Sequence, residues 1–593
     1  MKAAKASFSA LLGFCSLLFA SAPAQAFPGF LTSKTGAEIK VSSTQVVVMK
    51  KGSATAVSVM SDYEGGLEPF AMVLVVPGDV SAERVTTLKR EFIDRVDGIS
   101  APRFHEYWEQ DPCDPGPVEQ EWERNMKADA SSAFLGGGDM PQSTQKVAKE
   151  LSLDVKAQQK EGEYSFTLLG KDDKISAWLK SKGYAVPAEA ELAVAPYLAA
   201  GMRLIVAQVD TNRIELVGGD RAQLSPIRFW TEQPYDSIPD RVGLLNSSGK
   251  PQELSVYVLD PEQRYEAKNY KNLFPPTNVE VDFAVKERIG EFYAALDDIM
   301  LQKSPGSIWN EFAWSSDGCG QPCATEPLMI SELLSLGADV FEQSVSKEDK
   351  NPKPPELTKE EKDAFKEATK DLKPKERKAK EKQAKQDRET VAARQALVLR
   401  HKYVVSRLHY RYDDKSLPND LKIGPASGAV EGGVAQPKGQ NGQASTDVVP
   451  AALNKLQIRY NNFHPWVPVI QCQTPERYRW GKAPRDYRGL RKTWIAEDLT
   501  RKSRTQIKPA EMVRTPIPSL GLSGVAPAPA ASAVADAGAD AGTGGATKSG
   551  KCACSVPGAP SEHGLMSMLA ALFGLALRKR RRSVARIVSD PEN

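Results

Sequence analysis

Alternating apolar and polar side chains predict a β-rich region near the start of the chain. The segment 45–76 reads as a meander of three strands, with turns at Gly52 and at Gly65-Gly66. Its last strand, 70–76, is a continuous apolar run that ends at a Pro-Gly pair, which is typical of a strand buried on both faces. Apolar residues then recur at helical spacing over 81–96, which predicts a helix.

Further along, the same patterns predict more helices and another hairpin. Segment 285–300 has apolar residues on one helical face, and 175–182 reads as a helix that Gly183 ends with a left-handed cap. Segments 241–245 and 254–259 flank a turn-forming Asn-Ser-Ser-Gly sequence and read as a β-hairpin. These elements predict an α+β fold, mainly antiparallel β-sheet with flanking helices.

Two later segments, 404–412 and 455–460, read as strands in which cations alternate with apolar residues. The first carries Arg407, His409 and Arg411 on one face. If the two strands pair, their polar faces form a basic strip that could bind an anionic polymer. An ordinary solvent-exposed sheet face is the simpler interpretation, and the pattern favours it.

A strongly charged segment separates these strands from the first part of the chain. Residues 347–389 hold 15 basic and 12 acidic side chains. Thr358 and Glu361 form a possible capping box for one helix, and Pro374 is placed to begin a second. A helix that binds a partner or contacts the cell wall is one interpretation. The near balance of charge favours a solvated helical insertion, which we place at 341–400.

Composition excludes several classes of protein. The chain has 593 residues, of which 41% are hydrophobic and 26% charged, which argues against a multi-span membrane protein, a collagen-like fibre and a wholly disordered chain. Its 78 basic and 75 acidic residues give a net charge of +3, so we expect no nucleic-acid partner.

The N-terminus reads as a secretory signal peptide at 1–26. Lys2 and Lys5 precede a short apolar stretch, and Ala24-Gln25-Ala26 is a small-x-small cleavage site before Phe27. The apolar stretch is too short to span a membrane comfortably, so we expect cleavage between Ala26 and Phe27 and export of the chain.

The C-terminus predicts a membrane anchor. Residues 516–551 are rich in Pro, Ala and Gly and read as a disordered stalk. Cys552 and Cys554 follow, and then the apolar run 564–577 and the basic cluster 578–582, which should stay on the cytoplasmic side. We therefore expect 552–593 to hold a Cys motif, a short transmembrane helix and a basic tail.

This order of cysteine, apolar helix and arginine cluster resembles the Myxo-CTERM sorting tail. The resemblance implies cleavage near the cysteines by an intramembrane protease and transfer to the outer cell surface, with Cys552 or Cys554 lipidated. The alternative is a tail that stays unprocessed as a single span. Both place the protein in the cell envelope, held to the membrane by its C-terminus.

After signal removal, four cysteines remain before the stalk. Cys319 and Cys323 enclose Gly-Gln-Pro, and the spacing favours a structural disulfide over a redox or metal site. Cys113 and Cys472 would then pair, which is one of three possible connectivities.

The sequence contains no recognisable catalytic motif. Its five histidines form no HExxH pattern, there is no GxSxG, and no carboxylate pair can be assigned a catalytic role. We therefore expect no catalytic residues, cofactor or metal. The predicted function is a non-catalytic envelope protein that binds or scaffolds an extracellular protein or glycan. The alternative is an exported hydrolase acting on a peptide or glycan.

Several segments of the body together resemble the bacterial domain of unknown function numbered 2330. They are Asp62-Tyr63-Glu64-Gly65, the run 70–77, Ala177-Trp178-Leu179, the run 224–229 and the run 407–412. The resemblance covers most of 27–480 and implies an envelope protein, but no catalytic residue. We expect an ectodomain in two parts, 27–340 and 401–515, interrupted by the charged insertion.

Overall fold

The computed structural model describes thirteen stretches of the chain, all within a unit that extends to Ala528. They are residues 27–37, 39–64, 68–114, 116, 162–170, 174–216, 221–246, 252–318, 327–413, 415–416, 418–433, 445–481 and 507–525. The predicted signal peptide, most of the predicted stalk and the whole C-terminal tail lie outside these residues.

The described residues contain 24 strands, numbered here in chain order. They are β1 Gly29–Ser33, β2 Lys40–Lys51, β3 Ala54–Glu64, β4 Phe70–Val76, β5 Val85–Thr87, β6 Arg103–Glu109, β7 Tyr164–Leu169, β8 Arg203–Val209, β9 Glu215–Leu216, β10 Arg221–Gln223, β11 Ile227–Thr231, β12 Ser237–Ile238, β13 Gln252–Asp260, β14 Tyr265–Ala267, β15 Asn272–Leu273, β16 Val279–Glu280, β17 Ile308–Ser315, β18 Val404–Tyr412, β19 Leu421–Pro425, β20 Ala429–Gly432, β21 Val449–Ala451, β22 Lys455–Gln457, β23 Arg459–His464 and β24 Trp480–Gly481.

The α-helices among the described residues are fewer than the strands and mostly short. They are α1 Arg90–Ser100, α2 Ile175–Ser181, α3 Ala190–Ala199, α4 Ile289–Lys303, α5 Ile330–Leu333, α6 Asp339–Glu342, α7 Lys347–Lys350, α8 Lys359–Thr369, α9 Pro374–Arg400 and α10 Pro509–Met512. A π-helical turn at Leu334–Ala338 joins α5 to α6, and 3-10 turns lie at Ala82–Arg84, Thr211–Arg213, Asp240–Asn246, Phe283–Arg288 and Pro518–Leu520.

One large sheet organises the fold. Its order is β21-β20-β22-β17-β18-β13-β2-β3-β10-β9, with β11 beside β3, β5 beside β11 and β15 beside β17. Most neighbours are antiparallel, although β13 runs parallel to β2. A second sheet has the order β1-β4-β8-β7, and a third has the order β16-β23-β6-β24. The predicted α+β class with mainly antiparallel sheet is therefore confirmed.

Strand β2 shows why the centre of the large sheet is apolar at successive positions. Val46 and Val48 belong to the core shared with the β1-β4-β8-β7 sheet. Val47 and Met49 belong to the core on the opposite face, beneath α1, α5 and α6. Because side chains alternate between faces, a strand covered on both sides must be apolar throughout.

The π-helical turn comes unusually close to this sheet. Gly337 has a φ of 149°, and a Cβ at this position would lie 2.4 Å from the Cβ of Ala56. A side chain is therefore excluded by contact and is also disfavoured by backbone conformation. This glycine lets the α5–α6 segment pack directly on β3.

Three local predictions need correction. Strand β4 does not continue a meander but enters the second sheet between β1 and β8, where it is buried on both faces. The expected hairpin is absent from the described residues, because both edges of β13 already pair with β18 and β2, and Asp240–Asn246 forms a 3-10 turn. The helix predicted over 81–96 begins only at α1, after β5 has paired with β11.

The charged insertion forms helices, as expected. Thr358 and Glu361 make the predicted capping box at the start of α8, and Pro374 begins α9. Near the end of α9, Leu397 is buried in the core beneath the large sheet. Arg400 then bonds to Glu342 and to the carbonyl of Asp349, so the two ends of the insertion meet.

The ectodomain extends further than predicted at its C-terminal end. Val513 bridges to Val281, and Ile517 and Leu522 are buried in the core beside α4. The stalk therefore cannot begin at residue 516, because the chain packs against the body as far as Val525. No helix in the described part of the chain is both long and apolar enough to cross a membrane.

Candidate functional site

The cationic face of β18 is buried rather than exposed. Strand β17 lies between β18 and β22, so the two cationic strands do not pair and form no basic strip. Arg407 is 0% exposed in its side chain, with Nη1 2.5 Å from Asp97 Oδ1 and Nε 2.6 Å from Glu311 Oε2. His409 Nδ1 lies 3.1 Å from Glu311 Oε1. Carboxylates supplied by α1 and β17 thus replace water on this face.

Hydrogen bonds from tyrosines complete the cluster. Tyr293 donates to Glu311 at 2.5 Å, and Tyr257 donates to Asp97 at 2.6 Å. Burial alone would raise the pKa of Glu311, but His409 and Arg407 outweigh it and lower that pKa to about 2. Glu311 therefore stays ionised inside the protein. The charged groups of the cluster are buried and pair mainly with one another, which supports a structural role.

Two neighbouring carboxyl groups, Asp240 and Asp420, form a separate site. Asp240 begins a 3-10 turn, and Asp420 directly precedes β19. Asp240 is fully buried, and it accepts hydrogen bonds from the Tyr410 hydroxyl and the Leu421 amide. Asp420 accepts from the Tyr197 hydroxyl at 2.9 Å and from the Arg241 amide at 3.2 Å. Burial and the neighbouring Asp420 raise the pKa of Asp240. This pair could not be identified from sequence, and its oxygens already serve protein donors.

An open cleft lies at one end of the large sheet. It has a volume of about 860 Å³ and is bounded by the last residue of β2, the end of β17, the start of β18 and the end of α9. The turn after β13 and two segments flanking β20 and β21 close its other sides. Five of its lining side chains are cationic and two are anionic: Lys51, Arg264, Arg400, Lys402, Lys455, Glu262 and Asp317.

Three of the five cations already have anionic partners. Arg400 pairs with Glu342 at 3.0 Å, Lys402 with Asp317 at 2.9 Å and Arg264 with Glu266 at 3.2 Å.

The remaining two cations, Lys51 and Lys455, form no ion pair with any residue that the structure describes. Burial lowers the pKa of the half-buried Lys51, against the attraction of Glu342. A half-buried amine that forms no ion pair can bind an anion.

The residue types that line the cleft suit the binding of an anionic ligand. Its described lining residues include neither histidine nor cysteine. Across the described part of the chain, no group of three or more His, Cys, Asp or Glu side chains is arranged to hold a metal ion. The cleft offers positive charge and apolar surface.

Cys113 and Cys472 are joined by a disulfide. It connects the segment after β6 to the loop before β24.

Of the remaining predicted site residues, the structure describes only Phe27. Phe27 is buried in the core between the two main sheets. Ala26, Cys319, Cys323, Cys552 and Cys554 lie outside the described residues.

Comparison with known proteins identifies a family. The profile of DUF2330, described as an uncharacterized protein conserved in bacteria, matches residues 22–423. The chain belongs to the DUF2330 family. The match includes Arg407, Asp97 and Glu311, and ends before β20 and β21 on the far side of the cleft.

Other comparisons add little to this DUF2330 protein. No curated protein matches it. The crystal structure of baculovirus P35 is similar at 13% sequence identity over 43% of this chain and 69% of that chain. Its TM-score is 0.19, so it carries no argument about fold or function.

Proposed function

We propose that this DUF2330 protein is an exported envelope protein, anchored to the membrane by its C-terminal tail, that binds an anionic extracellular partner without catalysis. The cleft at the end of the large sheet carries the proposal, because five cations and two carboxylates line it. The signal-like N-terminus and the Cys552-to-end tail support export and anchoring.

Carboxylate-rich chains are the partner class that fits this surface. Lys51 and Lys455 can each pair with a ligand carboxylate, since neither pairs with a described side chain. Exposed Leu399 and Leu453 lie on the same lining and can contact apolar parts of the ligand. Charge should set the affinity and its salt dependence, and the apolar contacts should limit how far salt weakens it.

A fluorescent hexaglutamate peptide and an oligogalacturonate chain are suitable probes. We expect at least one to bind the full chain, and the double variant Lys51→Gln, Lys455→Gln to bind it roughly tenfold more weakly. Lys385→Gln, an exposed change on α9 outside the cleft, is the matched control. Equal affinity of the double variant and the control would refute the cleft as the binding site. Turnover of either probe would favour the hydrolase alternative instead.

A further inference from the structure

We infer that the loop at 465–470 docks on the lipid bilayer to which the chain is tethered. This inference rests on the proposed C-terminal anchoring. The loop follows β23 and has the sequence Pro-Trp-Val-Pro-Val-Ile. Val467 is 87% exposed and Val469 is 84% exposed, the two highest values among the large hydrophobic side chains that the structure describes.

The loop is held firmly at both ends. At its start, the Trp466 amide donates to Glu109 Oε2 at 2.8 Å, and two residues after its end Cys472 is joined to Cys113. Glu109 also accepts from the Tyr478 amide at 2.7 Å, so one buried carboxylate ties the start of the loop to the segment just before β24. Two prolines further restrict the backbone. The valines are therefore presented outward by a preorganised loop, which reduces the entropy lost on docking.

The last described residue of the chain is linked to this loop by a short series of contacts. Val525, the last described residue, bonds through its amide to Val513, and Val513 bridges to Val281. Phe283 lies two residues after Val281, and its ring is 4.9 Å from the ring of His464. His464 ends β23 and directly precedes the loop. A series of contacts thus leads from the last described residue, through Val513 and Val281, to the residue that directly precedes the loop.

This proximity selects a bilayer as the occupant. From residue 526 to residue 551, the composition predicts a coil, and a coil of that length has an end-to-end distance of about 28 Å. The predicted anchor would therefore keep the loop close to the membrane surface at a high effective concentration. Apolar side chains at a loop tip gain most by entering the interfacial region of lipid.

Photo-crosslinking can test the inference on the full chain. The protein is reconstituted into vesicles of phosphatidylethanolamine and phosphatidylglycerol, with p-benzoylphenylalanine replacing Val467. The matched control carries the same group at Leu192 of α3, which is 75% exposed. We expect lipid adducts at position 467 to exceed those at position 192 by about tenfold, because the inference places only position 467 against the bilayer.

Flotation with the vesicles separates this inference from anchoring. If both proteins float but lipid adducts are equal or absent at position 467, docking is refuted and anchoring stands. If adducts at position 467 join a second protein chain rather than lipid, docking on the bilayer is also refuted. If neither protein floats, the anchoring proposal fails and the docking inference fails with it.

Discussion

Replacement of Arg407 by Met is expected to destabilise the protein by about 3–5 kcal/mol. The side chain is fully buried, and its guanidinium contacts Asp97 at 2.5 Å and Glu311 at 2.6 Å. Methionine fills much of the same volume, so the variant mainly removes the charge and its hydrogen bonds. Both carboxylates then remain buried without the guanidinium, and this uncompensated charge is the source of the cost.

Equilibrium unfolding in urea, followed by tryptophan fluorescence, measures the change. A lower transition midpoint with an unchanged slope would report lost stability rather than a changed unfolded state. Lys385→Met on α9 is the matched control, because its pair with Glu389 at 3.8 Å is exposed. Exposed ion pairs contribute only about 0–1 kcal/mol, so the control should unfold near the wild-type midpoint.

A charge-neutral variant separates electrostatics from packing. Combining Arg407→Met with Asp97→Asn and Glu311→Gln removes the charges together, and we expect it to regain at least about 1 kcal/mol over Arg407→Met alone. A triple variant less stable than the single one would refute the explanation by uncompensated charge. So would an Arg407→Met protein as stable as the Lys385→Met control.

Three further outcomes are expected. Folding lowers the pKa of Glu311 from 4.5 to about 2, so its ionised form stabilises the native state above pH 4.5, and this contribution is lost as pH falls toward 2. In Glu311→Gln, the melting temperature should therefore depend less on pH between pH 4.5 and pH 2. Replacing 351–389 with a six-residue Gly-Ser linker, which can extend about 20 Å, should lower the melting temperature by less than about 4 °C; a larger loss would mean that these helices support the core. If Cys319 and Cys323 form a structural pair, neither thiol should react with a maleimide in the native exported protein, and labelling of both would refute the pairing.

Elements with a local cause could be predicted from sequence. The capping box of α8 depends on Thr358 and Glu361, which lie three residues apart and bond to each other's backbone amides. The end of α2 likewise depends on Gly183, whose φ is 75°. In both cases, all the interacting atoms belong to one short segment, so neighbouring residues carry enough information.

The buried charge cluster could not be predicted this way. Alternation along 404–412 correctly identified a strand, but a buried polar face and a solvated one have the same pattern. The face is buried because carboxylates from other segments pair with its cations, and one of them, Asp97, lies 310 residues from Arg407 along the chain. One available signal was Glu311, a carboxylate placed among apolar residues of the run at 308–314. Such a residue indicates a partner, although it does not identify one.

The cluster and the cleft are connected through one strand. Arg407 lies in the middle of β18, and Val404 at the start of that strand lines the cleft. Lys51 ends β2, which aligns with β18 through β13. Lys51 on β2 and Lys455 on β22 therefore project from strands of the large sheet, whose faces are packed in buried cores. Stability and binding should consequently separate: Arg407 variants should lower the unfolding midpoint, and Lys51→Gln should weaken probe binding while leaving that midpoint unchanged.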